Sequence, residues 1–322
     1  MPCSCVGSES MPSHPSRAIL LMGATATGKT ELAAALVERF PLEIISVDSA
    51  LIYRDMDIGT AKPDADLLTR APHFLIDILD PAQSWSAWSF VEETRRLIGE
   101  ISARGNLPLL VGGTMMYFHA LQQGLNELPM ADQAVRQQLL GEAAEQGLQG
   151  LYQRLRNVDP ATADRLKPTD SQRILRALEV YQLSGRGLSE LTRQAARAPD
   201  IEFDRIILDV SDRAQLHQRI AQRFNRMLEQ GFEQEVMALR RRGDLDPGMP
   251  SMRCVGYRQM WQYLDGELAY HDMVERGIVA TRQLAKRQLT WLRKYDDAAR
   301  FDYHDCGIDD VVNALKLDAL CS

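Results

Sequence analysis

The octapeptide Gly23, Ala24, Thr25, Ala26, Thr27, Gly28, Lys29 and Thr30 has the glycine, lysine and hydroxyl spacing of a phosphate cradle. The glycines let the backbone wrap an anion without Cβ clashes, Lys29 brings a point charge to phosphate oxygens, and the Thr30 hydroxyl can ligate Mg²⁺. Such a loop names a diphosphate and not a reaction, and a tight strand-to-helix turn with no ligand uses the same glycines. A second chemical group, Asp48, closes the apolar run LEIISVDS. A third is a series of arginines, Arg213, Arg219, Arg223 and Arg226, within SDRAQLHQRIAQRFNRMLEQGF. In phosphate-transfer proteins such a series closes over the anion; it equally suits a solvated helix face with a few salt bridges.

These groups need a scaffold. The apolar residues 18–22 before the loop and the helix-forming ELAAALVERF after it supply the strand and the helix N-terminus that must converge on the anion. LEIISVDS, HFLIDIL, NLPLLVGGT and DRIILDV are further short apolar runs separated by helical segments. Their alternation predicts an α/β fold, a P-loop NTPase-like, doubly wound parallel sheet of about five strands. Open parallel sheets bind ligands beyond the carboxyl ends of their strands, so Asp48 and the phosphate loop should share one cleft. Residues 125–199 hold no strand-like run and read as an all-helical insertion domain, with Thr169 and Gln172 spaced as a capping box and Gly185 as a stop. The catalytic core is then residues 17–124 with 200–322, and the Ser/Pro-rich residues 1–16 are expected to form a disordered tail.

With 322 residues, 45% hydrophobic and 25% charged, the composition is that of an ordinary soluble protein. No run approaches the roughly 20 apolar residues of a membrane helix, and the opening lacks the apolar centre of a signal peptide, so a cytoplasmic protein without membrane association is expected. The five cysteines are scattered, without the paired spacing of a zinc site, and are expected to be free thiols. A net charge of −7 argues against a generally basic coat, yet residues 278–294 hold five basic residues and no acidic one. On a helix, Arg282, Lys286 and Arg293 share one edge beside the apolar stripe Ile278, Ala285, Leu289 and Leu292. That edge suits a phosphodiester backbone; a plain solvated helix has the same look.

Together these stretches resemble the tRNA dimethylallyltransferases, which prenylate an adenosine beside the anticodon. The resemblance rests on GATATGKT, SVDSALIYRDMDIGTAKP, PHFLID, VGGTMMYF, DSQRILRALEVYQ, RCVGYRQMWQYL and ATRQLAKRQLTWLR in the family's order, and it covers nearly the whole chain. It departs at Ala24, where the family usually has proline. The zinc-finger extension of eukaryotic members is not expected here.

The resemblance implies transfer of the dimethylallyl group from dimethylallyl diphosphate to N6 of the adenosine 3′-adjacent to the anticodon, with release of diphosphate. It makes residues 23 to 30 the diphosphate site, with Thr30 as the protein's ligand to Mg²⁺ and no nucleotide bound. Asp48 becomes the general base for the weakly nucleophilic N6, or a supporting partner of Thr30 and the metal ion. Arg223 matches an arginine that grips the diphosphate, and Thr114 a threonine at the reaction centre that meets the tRNA, with a helix N-cap as its simpler role. The resemblance further implies contacts to the tRNA anticodon stem-loop from five places: Asp48, Ser49, Ala50 and Leu51; Arg136; Gln172, Arg173, Ile174, Leu175 and Arg176; Arg253, Cys254, Val255, Gly256, Tyr257 and Arg258; and Lys286, Arg287, Gln288, Leu289, Thr290, Trp291, Leu292 and Arg293. The apolar members Ile174 and Leu292 also read as core. A monomer is expected.

His73 in PHFLID invites a catalytic reading, but no second histidine or paired carboxylate at triad spacing accompanies it, and a structural role is expected. An adenylate prenyltransferase would use the same core with free AMP or ATP as acceptor; the basic helix and the insertion favour tRNA. A P-loop kinase of a nucleotide or small metabolite is the alternative from another class. NLPLLVGGT lacks the terminal acidic residue such a kinase would use for Mg²⁺, although FLIDILD could substitute. A GTPase switch would need an Asn-Lys-x-Asp element, which the chain does not contain.

Overall fold

The computed structural model describes residues 16–126, 128–193 and 200–320. The expected tail lies outside them except for Ser16, which is the first residue of strand β1 and not part of a tail. The chain forms two compact units, one from Met1–Phe118 with Asp200–Ser322 and one from His119–Pro199.

In the first unit the elements run β1 (Ser16–Gly23), α1 (Lys29–Val37), β2 (Leu42–Val47), α2 (Ala65–Arg70), β3 (His73–Phe74), α3 (Ala87–Ala103), β4 (Leu107–Gly112) and α4 (Met115–Gln123), the last crossing the unit boundary. The second unit holds α5 (Gln133–Val158), α6 (Pro160–Ala163), α7 (Ser171–Ser184) and α8 (Leu188–Leu191). The chain then returns to the first unit as β5 (Ile201–Asp209), α9 (Arg213–Glu229), α10 (Phe232–Arg241), α11 (Tyr257–Leu264), α12 (Tyr270–Leu292), β6 (Ala299–Asp302) and α13 (Ile308–Leu315).

The sheet has six strands in the order β3-β2-β4-β1-β5-β6, every pair parallel. Its α/β, doubly wound character follows from residues that alternate along fully buried strands. Ile19, Leu21, Ile44, Leu109, Val111 and Ile206 join α1 and α13 in one core, while Leu20, Met22, Ile45, Leu110 and Ile207 are buried between them in sequence. β1 takes β4 on one side and β5 on the other, so the sheet resumes after the second unit has been inserted.

Two strand expectations need correction. HFLIDIL forms a strand only at His73–Phe74, because Leu75 and Asp77 take left-handed φ values of 64° and 57° that turn the chain away from the sheet edge. The sixth strand, β6, is added by ARFD, whose alternating charges hide it from an apolar-run reading.

The second unit is all helical around Leu139, Leu151, Leu155, Ile174 and Leu178. α5 is kinked at Gly147, with φ 73°. The N-cap of α7 is Asp170, whose side chain accepts from Arg173 N; the expected Thr169–Gln172 capping box therefore does not form, whereas Gly185 ends the helix in the left-handed conformation. No helix among the described residues is long and apolar enough to cross a membrane.

Candidate active site

β1 ends at Gly23 and α1 begins at Lys29, so the loop between them places the N-terminus of α1 at the carboxyl edge of the sheet. A Cβ on Gly23 would lie 2.9 Å from Thr27 Oγ1. Gly28 has φ 81°, and Ala26, unexpectedly for a residue with a Cβ, has φ 67°. Ala24 is fully buried against Leu216, Ile220 and Ala285, and its carbonyl accepts from Thr27 Oγ1 at 2.8 Å and from Lys29 Nζ at 2.6 Å. The N–H groups of Ala26, Thr27, Gly28, Lys29 and Thr30 take no acceptor among the described residues, which leaves a run of donors for an anion. Thr25 differs, since its N–H already donates to Gln288 Oε1.

The loop opens into a cleft of about 720 Å³, walled by Lys29, Thr30, Asp48, Lys62 and His73 and, from α9, by Arg219, Arg223 and Arg226. Arg223 donates to Thr25 Oγ1 at 2.5 Å. Arg219 stacks over Tyr303, 5.1 Å from the ring centroid. Burial and the nearby Arg223 guanidinium bring Lys29 down to about 8, against the opposing pull of Asp48 and Glu31. Burial likewise lowers Arg223. His73 lies in the same wall, its Nδ1 2.6 Å from Ala71 O, and burial keeps it below the usual histidine range.

Asp48 follows β2 at the same edge of the sheet. Its Oδ1 accepts from Ala50 N at 2.8 Å and from Leu51 N at 3.4 Å, and Oδ2 takes no donor from the described residues. Burial holds the carboxyl above the usual aspartate range, although those two N–H groups, Lys29 and Arg223 pull the other way. Asp48 also lines a second cavity, of about 500 Å³, whose wall is aromatic and thioether-rich: Tyr53, Trp85, Met115, Met116, Tyr117, Phe224 and Trp291. Thr25, Thr60, Gly113, Arg223 and Gln288 join Asp48 in both walls, so the two spaces meet at this carboxylate.

Thr114 lies in the wall of the aromatic cavity, and its Oγ1 accepts from Ser49 N at 3.1 Å. It follows Gly112, where the backbone excludes a side chain because a Cβ would fall 2.1 Å from Val47 O, and Gly113, where a Cβ would lie 2.4 Å from Gln288 Nε2 and displace that amide. β4, the strand beside the phosphate loop, thus ends without a carboxylate.

The remaining expected contact residues are dispersed. Arg253, Cys254, Val255 and Arg287 line the aromatic cavity, and burial raises the Cys254 thiol to about 12. Arg253, Arg258, Lys286, Arg287, Thr290 and Arg293 are exposed; Gly256, Tyr257 and Leu292 are buried, and Leu289 packs beside Ala285. Tyr257 OH donates to Glu235 Oε1 at 2.6 Å. Gln288, 7% exposed, uses both ends of its amide inside the protein, accepting from Thr25 N and donating to Gly113 O, each at 2.9 Å. In the second unit Gln172 and Arg173 are exposed, and Ile174 and Leu175 are core. Arg176 and Arg136 both turn to the buried Glu179, at 3.0 and 4.0 Å. Sequence reasoning missed Gln288 as a tie between α12 and the loop, and missed Glu235, which binds the turn at residues 57–59.

Comparison with known proteins identifies the family of the chain. The family described as IPP transferase matches residues 51–295, and that described as isopentenyl transferase matches residues 16–77. A "tRNA dimethylallyltransferase" of Burkholderia vietnamiensis is 59% identical over 290 residues, covering 89% of this chain and 90% of that protein. The crystal structure of a tRNA isopentenylpyrophosphate transferase from Bacillus halodurans superposes with TM-score 0.68 at 35% identity, over 95% of this chain and 98% of the other. A eukaryotic dimethylallyltransferase captured acting on tRNA superposes with TM-score 0.76 at 26% identity, over 95% of this chain and 78% of the other. The chain belongs to the IPP transferase family, that of the tRNA dimethylallyltransferases.

Proposed function

We propose that the protein transfers the dimethylallyl group of dimethylallyl diphosphate to N6 of the adenosine 3′-adjacent to the anticodon in tRNA, releasing diphosphate. The observation that carries this reading is the position of Asp48 at the junction of a cationic, amide-lined cleft and an aromatic cavity. The cleft suits a diphosphate, and the cavity suits an extruded base stacked on aromatic side chains.

N6 is a poor nucleophile because its lone pair is delocalised into the purine. Asp48, with one oxygen held by two backbone amides and the other without a donor among the described residues, accepts the N6 proton as the new N–C bond forms, and its raised pKa makes it the stronger base. The allylic C–O bond breaks with carbocation-like character, so negative charge gathers on the leaving diphosphate. Lys29, Arg223 and the amides of residues 26–30 neutralise that charge. Thr114 stands beside the acceptor, and Arg253 and Arg287 border the cavity for the flanking nucleotides. The exposed Lys286 and Arg293 serve the phosphate backbone, as do Gln172 and Arg173 in the second unit.

Mg²⁺ fits the donor set. The Thr30 hydroxyl and Asp48 border the cleft, and no three His, Cys, Asp or Glu side chains converge among the described residues. The Thr30 hydroxyl and the Asp48 carboxylate would offer oxygen ligands to a hard cation arriving with the diphosphate. When bound, it supplies further charge neutralisation to the leaving group. A cytoplasmic, monomeric enzyme completes the proposal.

The test is mass spectrometry of nuclease-digested, unmodified tRNA after incubation with protein, Mg²⁺ and dimethylallyl diphosphate, with AMP as competing acceptor. A five-carbon gain on the adenosine 3′ of the anticodon is expected. A gain on AMP alone, or on neither acceptor, overturns the proposal.

A further inference from the structure

The turn at residues 57–62 is one part of the wall between the two cavities. Thr60 lines both, Ile58, Ala61 and Lys62 line the phosphate cleft, and Gly59 lines the aromatic cavity. Its backbone is unusual: Asp55 and Ala61, on either side of its centre, have φ values of 62° and 55°, which side-chain-bearing residues rarely adopt. Bonds inside the turn, Ala61 N to Ile58 O at 3.0 Å and Lys62 N to Asp57 O at 2.9 Å, leave the N–H groups of Asp57, Ile58 and Gly59 to be met from elsewhere.

Glu235 meets them from the first turn of α10. Its Oε2 accepts from Asp57 N at 2.8 Å and Ile58 N at 2.7 Å, while Oε1 accepts from Gly59 N at 3.1 Å and Tyr257 OH at 2.6 Å. Three consecutive amides converge on one carboxylate as a backbone nest converges on a bound anion. The seat is also steric, since a Cβ on Gly59 would lie 2.1 Å from Phe232 Cε2 and 2.6 Å from Tyr257 Cε2. Glu235 itself lines neither cavity, so it acts through the turn and the Tyr257 hydroxyl that it holds.

We propose that Glu235 is a positioning residue for prenyl transfer: by fixing the wall at Thr60 it aligns the allylic carbon with the acceptor nitrogen and keeps water from that carbon. This rests on the function proposed above. The donor has two fates. In both, its C–O bond breaks and diphosphate leaves with the electron pair. In transfer, N6 bonds the carbon and its proton passes to Asp48; in hydrolysis, a water oxygen bonds the carbon, a proton goes to solvent, and dimethylallyl alcohol results. The ratio of enzyme-dependent alcohol, above solvolysis of the donor in buffer, to prenylated adenosine therefore reports alignment, and loss of folded protein alone leaves it unchanged.

Glu235→Gln keeps the shape but replaces one acceptor oxygen with an NH₂ group facing donors. The expected result is a fall in kcat for transfer of about 10- to 100-fold, with both KM values little changed and the alcohol ratio raised about tenfold. A folded variant with the wild-type ratio overturns the proposal, as does activity lost only in proportion to unfolded protein. If the variant does not fold, Thr60→Val tests the same turn, because it removes the hydroxyl that donates to Met56 O at 2.6 Å and Asp57 O at 3.1 Å. Its ratio must rise, and an unchanged ratio overturns the proposal. Failure of the wild-type protein to prenylate tRNA in the same assay would instead remove the underlying function.

Discussion

Gln288 ties α12 to the phosphate loop through Thr25, whose N–H donates to the Gln288 Oε1 at 2.9 Å. The other end of the amide holds Gly113 O, so one side chain fixes the spacing between the loop after β1 and the turn after β4. Both bonds are largely shielded from water, and an unmade buried bond of this kind costs about 1–3 kcal/mol. Gln288→Leu should therefore lower the melting temperature by several degrees and weaken dimethylallyl diphosphate about tenfold, leaving tRNA affinity almost unchanged. Calorimetric titration of each substrate checks this. A selective loss of tRNA affinity would return Gln288 to the contact role its sequence position suggests.

The depressed Lys29 pKa has a kinetic signature. Lys29 is charged below about pH 8 in the free protein and neutral above it. Diphosphate capture uses the charged form, so kcat/KM for dimethylallyl diphosphate should fall as pH rises through that value. A bound diphosphate favours the ammonium, which moves the corresponding limb of kcat to higher pH. Paired pH profiles read the difference, and coincident basic limbs would count against Lys29 as the titrating group.

Asp48 predicts the opposite limb. A base must be ionised, so kcat/KM should fall as pH drops through a value above the ordinary aspartate range, in the direction set by its burial. Asp48→Asn keeps an oxygen for the N–H groups of Ala50 and Leu51, so the fold should persist while kcat drops about 10²- to 10⁴-fold. Single-turnover transfer together with a thermal melt separates the two effects, and near-normal turnover would remove the base from the mechanism.

The phosphate loop and Asp48 were legible because anion binding demands particular residue types at fixed spacing beside a strand end. Gln288 was not, since its meaning depends on Thr25, 263 positions away in sequence, and nothing in ATRQLAKRQLTWLR distinguishes an inward amide from an outward one. Glu235 was hidden for the same reason: its three amide partners lie on a distant turn, and a glutamate early in an amphipathic helix ordinarily reads as solvated. HFLIDIL misled because apolar content was weighed without the backbone at Leu75 and Asp77, where left-handed φ ends the strand after two residues. β6 escaped because four residues at a sheet edge need no apolar run.

The basic edge of α12 divides on inspection of its surroundings. Ala285 and Leu292 are buried as the apolar stripe requires, and Lys286 and Arg293 on the edge, with Arg287 on the neighbouring face that borders the aromatic cavity, are exposed with no carboxylate partner among the described residues. Arg282, on the same edge by helical spacing, is only partly exposed, and its Nε is buried without an acceptor among the described residues. Phosphate contacts release counterions, each contributing roughly 0.7–0.9 to the slope of log affinity against log salt. Replacing Lys286, Arg287 and Arg293 together by alanine should reduce that slope for tRNA by about 2 to 3, whereas Arg282→Ala should change thermal stability more than the slope. Filter binding across a salt series distinguishes them. An unchanged slope in the triple variant would make this edge a solvated face and move the electrostatic footprint to Arg253, Arg258 and the exposed residues of α7.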